Sequence, residues 1–375
     1  NRFALIPVTT YAAECPSVGI LAQGRLFLVC FAVVAGARTS KMQAAVMNGY
    51  GPPSVLHMET VPVPEIAKDQ LLVRVKATSV NPADGKQRSG NLKLVQGHRF
   101  PCILGQDFAG IIERVGASVT KFAAGDAVFG TTRPGRGCSA EFVAVFEWEA
   151  ARKPEQLDWI AAAAAPTVAL TGYKAMAGVL KGQSLLVLGC SGGVGSAAAQ
   201  IALLRGCSVL GTCSAANAAY AESLGIRPLD YSGPFEADIP DASLDVVFDA
   251  VGGDDYYYRT RAKLRPGGRY ISAVGPVRHG GSEPITFGTI CMTAGVLLPR
   301  MTGNLWRSRR YELFLSFGER NIQKPDFLAL FEGEKKLQIR TSPKVYGLAD
   351  LAQAHEKTDS NHSDGKLVVV VSERE

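Results

Sequence analysis

The residues Ser191-Gly-Gly-Val-Gly195 stand between an apolar run, Leu185 to Leu188, and a run of small and apolar residues, Ser196 to Arg205. Four apolar residues in a row read as a strand buried on both faces, the glycines as a tight turn, and the subsequent run as a helix lying on a parallel sheet. Such a turn offers backbone N–H groups and the positive end of a helix to a phosphate, and glycine lets the anion come close. Gly192 and Gly195 fill the second and third glycine places of a G-x-G-x-x-G pattern, and Cys190 stands where the first would be. The chemistry that fits is capture of a dinucleotide pyrophosphate.

A phosphate turn needs a sheet to hold it. Ser208 to Cys213 reads as a second strand, Ala215 to Leu224 as a helix stopped by Gly225, and Pro228 to Tyr231 as a third strand. Leu244 to Asp249 and Gly268 to Gly275 supply two more strands. Strands and helices therefore alternate from about 185 to 275, as in a doubly wound α/β sheet. Before this unit the pattern is β-rich: 44–47, 70–77, 110–116 and 127–130 read as strands punctuated by glycine and proline, as in a compact barrel. Ala161 to Leu170 reads as a helical bridge between the two regions. Lys366 to Val371 returns to strand character, so the tail is expected to rejoin the first domain, with the dinucleotide unit inserted between its two parts.

A chain of 375 residues exceeds one ordinary core, and 47% hydrophobic with 20% charged residues describes a globular enzyme-like chain. The net charge of +6 is mild, and the patch Arg307, Arg309 and Arg310 has no interleaved aromatics, so a nucleic-acid partner is not expected. The eight cysteines contain no C-x-x-C pair and read as reduced, mostly buried thiols. The five histidines, His57, His98, His279, His355 and His362, are scattered. A catalytic zinc needs three protein ligands, and no local cluster supplies them, so no metal is expected.

Residues 1–41 differ in character from the rest of the chain. The apolar run Leu26 to Ala37 is too short to span a bilayer comfortably, and Ala35-Gly36-Ala37 resembles an A-x-A cleavage site. A targeting segment is the preferred expectation, for the mitochondrion or another organelle, with a cytoplasmic location otherwise. A shallow membrane anchor is an alternative to targeting, and only residues 17–37 could provide it. A leader that is not part of the working protein is the other reading, since Met42 would itself be a sensible start.

The segments Gln43-Ala-Ala-Val-Met-Asn-Gly-Tyr-Gly51, Asn81-Pro-Ala-Asp84, Leu104-Gly-Gln-Asp-Phe-Ala-Gly110, Gly125-Asp-Ala-Val128, Ser191 to Gly195, Asp249-Ala-Val-Gly-Gly253 and Gly365-Lys366 together resemble the medium-chain dehydrogenase/reductase superfamily. Within it, residues 42–371 look like the zinc-independent quinone oxidoreductase branch, the zeta-crystallin-like proteins. The resemblance implies a GroES-like β-barrel catalytic domain plus a Rossmann doubly wound parallel sheet. It divides the chain into a leader at 1–41, the first part of the catalytic domain at 42–166, the cofactor domain at 167–305 and the C-terminal return at 306–375. It implies hydride transfer from NADPH to a quinone, enone or enal, by a monomer or homodimer.

Zinc alcohol dehydrogenases carry Gly-His-Glu where this chain has Gly105-Gln106-Asp107, and Cys138 is solitary where they have a lobe of four cysteines. Without a metal, the protein must orient the acceptor in a dry pocket and supply a donor for developing enolate charge. The resemblance assigns Asn81 to the nicotinamide region and Lys86 to the enolate oxygen or a proton relay, although Lys86 also reads as a solvated loop lysine. Asp84 is expected to brace the loop.

The cofactor set that the resemblance implies is Thr171, Ser191, Gly192, Gly193, Val194, Gly195, Ser214, Tyr231, Ala250, Gly365 and Lys366. No acid comes after the second strand, where an enzyme using NAD would hold the ribose 2′-hydroxyl, and this favours NADPH. The arginine or lysine that often clamps the phosphate is missing there, with Ala216 in its region; Ser214 also reads as a helix cap and Tyr231 as a core aromatic. An enoyl-thioester reductase and a non-catalytic NADPH-binding scaffold are the competing functions. The stretch from about Gly280 to Arg310 carries no readable acceptor motif.

Overall fold

The computed structural model describes residues 18–22, 25–29, 40–94, 96–133, 136–276, 286–302, 309–313, 322–360 and 363–372. The chain forms two units, 1–40 and 41–375. In the first, β1 (Val18–Ala22) and β2 (Arg25–Val29) make an antiparallel hairpin in which Ile20 faces Phe27. The start of the apolar run is thus strand, while Ala35-Gly36-Ala37 and the rest of the run lie outside the described residues. No described helix is long and apolar enough to cross a membrane.

In the second unit, β3 (Lys41–Met47) is paired on its two sides by β4 (His57–Pro62) and β6 (Cys102–Ile103). Beside it lies a larger sheet of β5 (Gln70–Val80), β7 (Asp107–Val115), β8 (Ala127–Thr131), β9 (Phe142–Phe146), β10 (Ala150–Arg152), β17 (Tyr346–Gly347) and β18 (Leu367–Val370). The expected return of the tail is present: β18 runs antiparallel to β5, with Leu367 opposite Val80 and Val369 opposite Thr78.

The inserted unit is a six-stranded parallel sheet in the order β13-β12-β11-β14-β15-β16. Its strands are β11 (Ser184–Leu188), β12 (Ser208–Cys213), β13 (Arg227–Asp230), β14 (Leu244–Asp249), β15 (Leu264–Ser272) and β16 (Arg310–Leu313). This is the 3-2-1-4-5-6 order of a dinucleotide-binding sheet, whose ligand crevice opens between the strands where the order reverses, here β11 and β14. The last strand carries the sheet past residue 305, to Leu313. All six residues of β14 are buried, and each large apolar side chain there contributes roughly 1.5–3 kcal/mol.

The helical bridge is two helices. Asp158 Oδ1 accepts from Ala161 N at 2.7 Å and starts α2 (Trp159–Ala164), and Pro166 then opens α3 (Pro166–Ala175). Proline is tolerated at a first helical position, where its missing N–H would have had no partner. α4 (Gly193–Leu204) packs on α3, and the contact is lined by buried Ala169, Ala197, Ala198 and Ala199, whose small side chains let the helices approach. The helix expected over Ala215 to Leu224 begins as a 3₁₀ turn at Ala215–Asn217 and continues as α5 (Ala218–Ser223).

Candidate cofactor and hydride-transfer site

The phosphate turn has the predicted shape with one shift. The left-handed residue is Gly189, at φ +77°, so Cys190 does not need to be glycine; its N–H bonds Thr212 O at 3.0 Å and its side chain is buried. Gly195 packs against the same turn: a Cβ there would lie 2.1 Å from Gly189 O. Gly192 is exposed, and a Cβ on it would meet nothing closer than 3.4 Å, so its bareness keeps space open toward solvent. The N–H groups of Gly193, Val194 and Gly195 have no partner among the described residues, as expected for a first helical turn. The open cradle and these donors fit a pyrophosphate. Ser191 lies in the turn, and Ala250 comes directly after β14 with its N–H on Leu188 O at 3.3 Å, beside the same crevice.

A buried polar network joins this turn to the first domain. Lys366, 7% exposed, precedes β18, and a Cβ on Gly193 would lie 3.7 Å from its Cδ. Its ammonium donates to Asn81 Oδ1 at 2.7 Å, to Val80 O at 3.3 Å and to Asp107 Oδ2 at 3.5 Å. Asn81 Nδ2 donates to the same carboxylate oxygen at 2.9 Å, as does Ser79 Oγ at 2.8 Å. Asp107 Oδ1 accepts from Thr167 N at 3.0 Å and from Thr167 Oγ1 at 2.6 Å, at the start of α3. One turn later Thr171 Oγ1 donates to Thr167 O at 2.6 Å. Burial pulls the Lys366 ammonium below its ordinary pKa, while Asp107 and Asp84 pull it back up. Gly365 makes the entry of Lys366 possible: at φ +121° it takes a backbone that a side chain would strain, and a Cβ would lie 2.7 Å from Thr341 C.

Asn81 also starts α1 (Pro82–Arg88), where its N–H donates to Asp84 Oδ2 at 2.8 Å. Asp84 braces this loop as expected, and Gln106 Nε2 reaches its other oxygen at 3.3 Å. Burial, with the Asp107 charge adding to it, lifts the Asp84 carboxyl to about 6. Lys86 lies on the same helix, half-buried, and its ammonium has no partner among the described residues; burial lowers its pKa. α1 is fixed from behind by Arg88, which donates to Gly51 O at 3.1 Å and to Asp359 Oδ2 at 2.6 Å and touches His355 Nδ1 at 3.1 Å. His355 lies on the helix Leu351–Asp359.

At the end of β12, Ser214 is half-buried and its Oγ accepts from Asn217 Nδ2 at 3.2 Å. It heads the 3₁₀ turn without a side-chain cap. Tyr231 is 49% exposed, outside the core, and its N–H bonds Cys213 O at 3.3 Å, which sets it beside Ser214. Asp107, Thr167 and Arg340 are the contacts that the sequence does not single out for roles. Asp107 stands in the Gly105-Gln106-Asp107 motif, but its part as hub of the network depends on partners far apart in the chain.

The side chains of Gln106, Asp107 and Cys138 are engaged within the protein. Asp107 is saturated by the donors above, and the Cys138 thiol donates to Gln106 O at 3.3 Å, with burial pushing its pKa well above the ordinary thiol value. Among the described residues no group of three His, Cys, Asp or Glu is disposed to hold a metal ion. His279, His362 and residues 280–285 and 303–308 of the Gly280 to Arg310 stretch lie outside them.

Known families and proteins match this architecture. The alcohol dehydrogenase GroES-like domain family matches residues 67–155, and the zinc-binding dehydrogenase family matches residues 227–369. The human mitochondrial NAD(P)H oxidoreductase RTN4IP1 is 32% identical over 362 residues, covering 89% of this chain and 90% of that protein. The chloroplastic NADPH-dependent alkenal/one oxidoreductase of Arabidopsis thaliana is 34% identical over 254 residues, and the match spans 64% of each chain. Among solved structures, the quinone oxidoreductase of Coxiella burnetii superposes with a TM-score of 0.73 at 30% identity, covering 89% of this chain and 100% of that one. With the 3-2-1-4-5-6 sheet inserted into a GroES-like domain and a relative 32% identical over 89% of the chain, the chain belongs to the medium-chain dehydrogenase/reductase superfamily.

Proposed function

We propose that the protein is an NADPH-dependent oxidoreductase that transfers a hydride to a quinone or an α,β-unsaturated carbonyl without a metal. The observation that carries this reading is Lys366: its stem lies along Gly193 of the phosphate turn and its ammonium holds Asn81 Oδ1 at 2.7 Å. Cofactor turn and acceptor loop are thereby fixed to one buried hub, the arrangement needed to set a donor carbon against an acceptor.

NADPH, when bound, supplies the hydride. The protein's part is to cradle the pyrophosphate on the N–H groups of Gly193, Val194 and Gly195 and to hold Asn81 toward the nicotinamide with Thr171 and Ala250 along the crevice. Ser214 and Tyr231 line the end of β12. Hydride addition to the β-carbon of an enone places negative charge on its oxygen, and Lys86 stabilises that charge and passes on a proton drawn from solvent, so that hydride plus proton complete a two-electron, two-proton reduction. A lysine already lowered by burial gives up a proton more readily than a solvated one.

A panel of quinones, enals and enones, followed by loss of NADPH absorbance in the presence of a chelator, tests the proposal. Turnover of at least one class supports it. Tight NADPH binding without oxidation by any acceptor would instead indicate a scaffold.

A further inference from the structure

We propose that Arg340 reads the cofactor's 2′-phosphate and so sets the preference for NADPH over NADH; the assignment rests on the NADPH reading above. In a dinucleotide-binding sheet the adenosine ribose lies at the end of the second strand, which here is Cys213. The next residues, Ser214-Ala-Ala-Asn217, carry no charge. The charge comes from elsewhere in the chain. Arg340 donates to Asn217 Oδ1 at 3.0 Å, and its guanidinium sits 4.7 Å from the centre of the Tyr220 ring. Asn217 in turn donates to Ser214 Oγ at 3.2 Å, so three side chains form a row along the mouth of the turn.

The backbone that presents Arg340 is pinned to the cofactor site at both ends. Lys366 N donates to Arg340 O at 2.8 Å and Ser342 N to Lys366 O at 2.9 Å. Two residues earlier, Gln338 and Gln200 of α4 exchange hydrogen bonds, each 2.9 Å long. The segment therefore hangs between the phosphate helix and the hub lysine.

The guanidinium has binding capacity to spare. Arg88, Arg259, Arg269 and Arg300 each spend their charge on a carboxylate. Arg340 has no carboxylate partner among the described residues, and Asn217 uses one of its five N–H groups. A planar fork held against an aromatic ring and left without an anion suits a phosphate better than a lysine would.

Calorimetric titration of the wild type, Arg340→Gln and Arg340→Lys with 2′,5′-ADP and with 5′-AMP reads this directly, because the two probes differ by the 2′-phosphate. The wild type should favour 2′,5′-ADP. In Arg340→Gln that preference should fall roughly ten- to hundred-fold with 5′-AMP affinity unchanged, and Arg340→Lys should keep part of it. The ratio of two ligands on one variant is insensitive to a loss of folding stability. An undiminished ratio in Arg340→Gln, or equal losses for both probes, overturns the assignment and leaves NADPH preference standing. A wild type that binds both probes alike overturns the NADPH reading and the assignment together.

Discussion

The ammonium of Lys366 and the side-chain oxygen of Asn81 lie 2.7 Å apart, although the two residues are 285 positions apart in the chain. That contact holds β18, the Asn81 loop and Asp107 together. Lys366→Met keeps the stem and leaves the Asp107 carboxylate buried without its cation, and should cost about 3–5 kcal/mol of stability in urea unfolding. A loss of about 1 kcal/mol or less, as for an exposed ion pair, would show that the hub is not a structural tie.

Cofactor choice is the second expectation. With no acid at the end of β12 and Ser214 and Tyr231 beside it, NADPH should bind more tightly than NADH by about 1 kcal/mol or more. Fluorescence titration of both cofactors measures the margin. Equal affinity or tighter NADH binding is the contrary result.

Lys86→Met should raise the barrier by about 2–4 kcal/mol, as for a lost oxyanion donor, with NADPH affinity nearly unchanged. Asn81→Ala should disturb both turnover and cofactor binding, because Asn81 is bonded to Lys366 and to Asp107. Full turnover of Lys86→Met on every acceptor would remove the lysine from the chemistry.

Acid stability should reflect two buried groups of opposite sign. His355, pushed down from 6.5 to about 3 by burial and the Arg88 charge, is protonated in the unfolded chain first. Its contribution is therefore lost as pH falls from 6.5 toward 3. Asp84, raised from 3.8 to about 6, takes a proton in the folded state first, so acidification from 6 toward 3.8 favours folding at that site. Replacing His355 by Gln should flatten the loss of stability between pH 6.5 and 3, seen in denaturation midpoints. A variant as acid-sensitive as the wild type would show that His355 is not a source of the slope.

Turnover should survive exhaustive chelation, and metal analysis of the purified protein should find no stoichiometric zinc. Activity lost on chelation and restored by zinc alone would reverse this reading of Gln106, Asp107 and Cys138.

What the sequence makes legible is local. Leu244 to Asp249 is read as a strand and is one, because its entire apolar run is buried between layers. The brace between Asn81 and Asp84 spans three residues and is visible as a helix start. Pro166 is harder: inside an alanine-rich stretch it looks like part of one helix, whereas it begins a second. The turn glycine is displaced by one residue, since the sequence pattern points to Cys190 and the backbone uses Gly189. Partners far apart in sequence are not legible at all. Nothing near Ser214 announces Arg340, and nothing near Asn81 announces which end of Lys366 will face it.

The pairing of β18 with β5 also orders events during synthesis. A ribosome that has passed residue 313 has made every strand of the parallel sheet, while the first domain still lacks the partner of Val80 and Thr78. The nucleotide cradle can therefore form on the nascent chain before the lysine that links it to Asn81 exists, and the Ala77–Val80 part of β5, beyond the stretch that β9 pairs, stays without a partner on that edge until residues 367–370 are made. Such late, long-range closure is slow and exposes strand edges, so this chain should depend on chaperones more than its parallel sheet alone would.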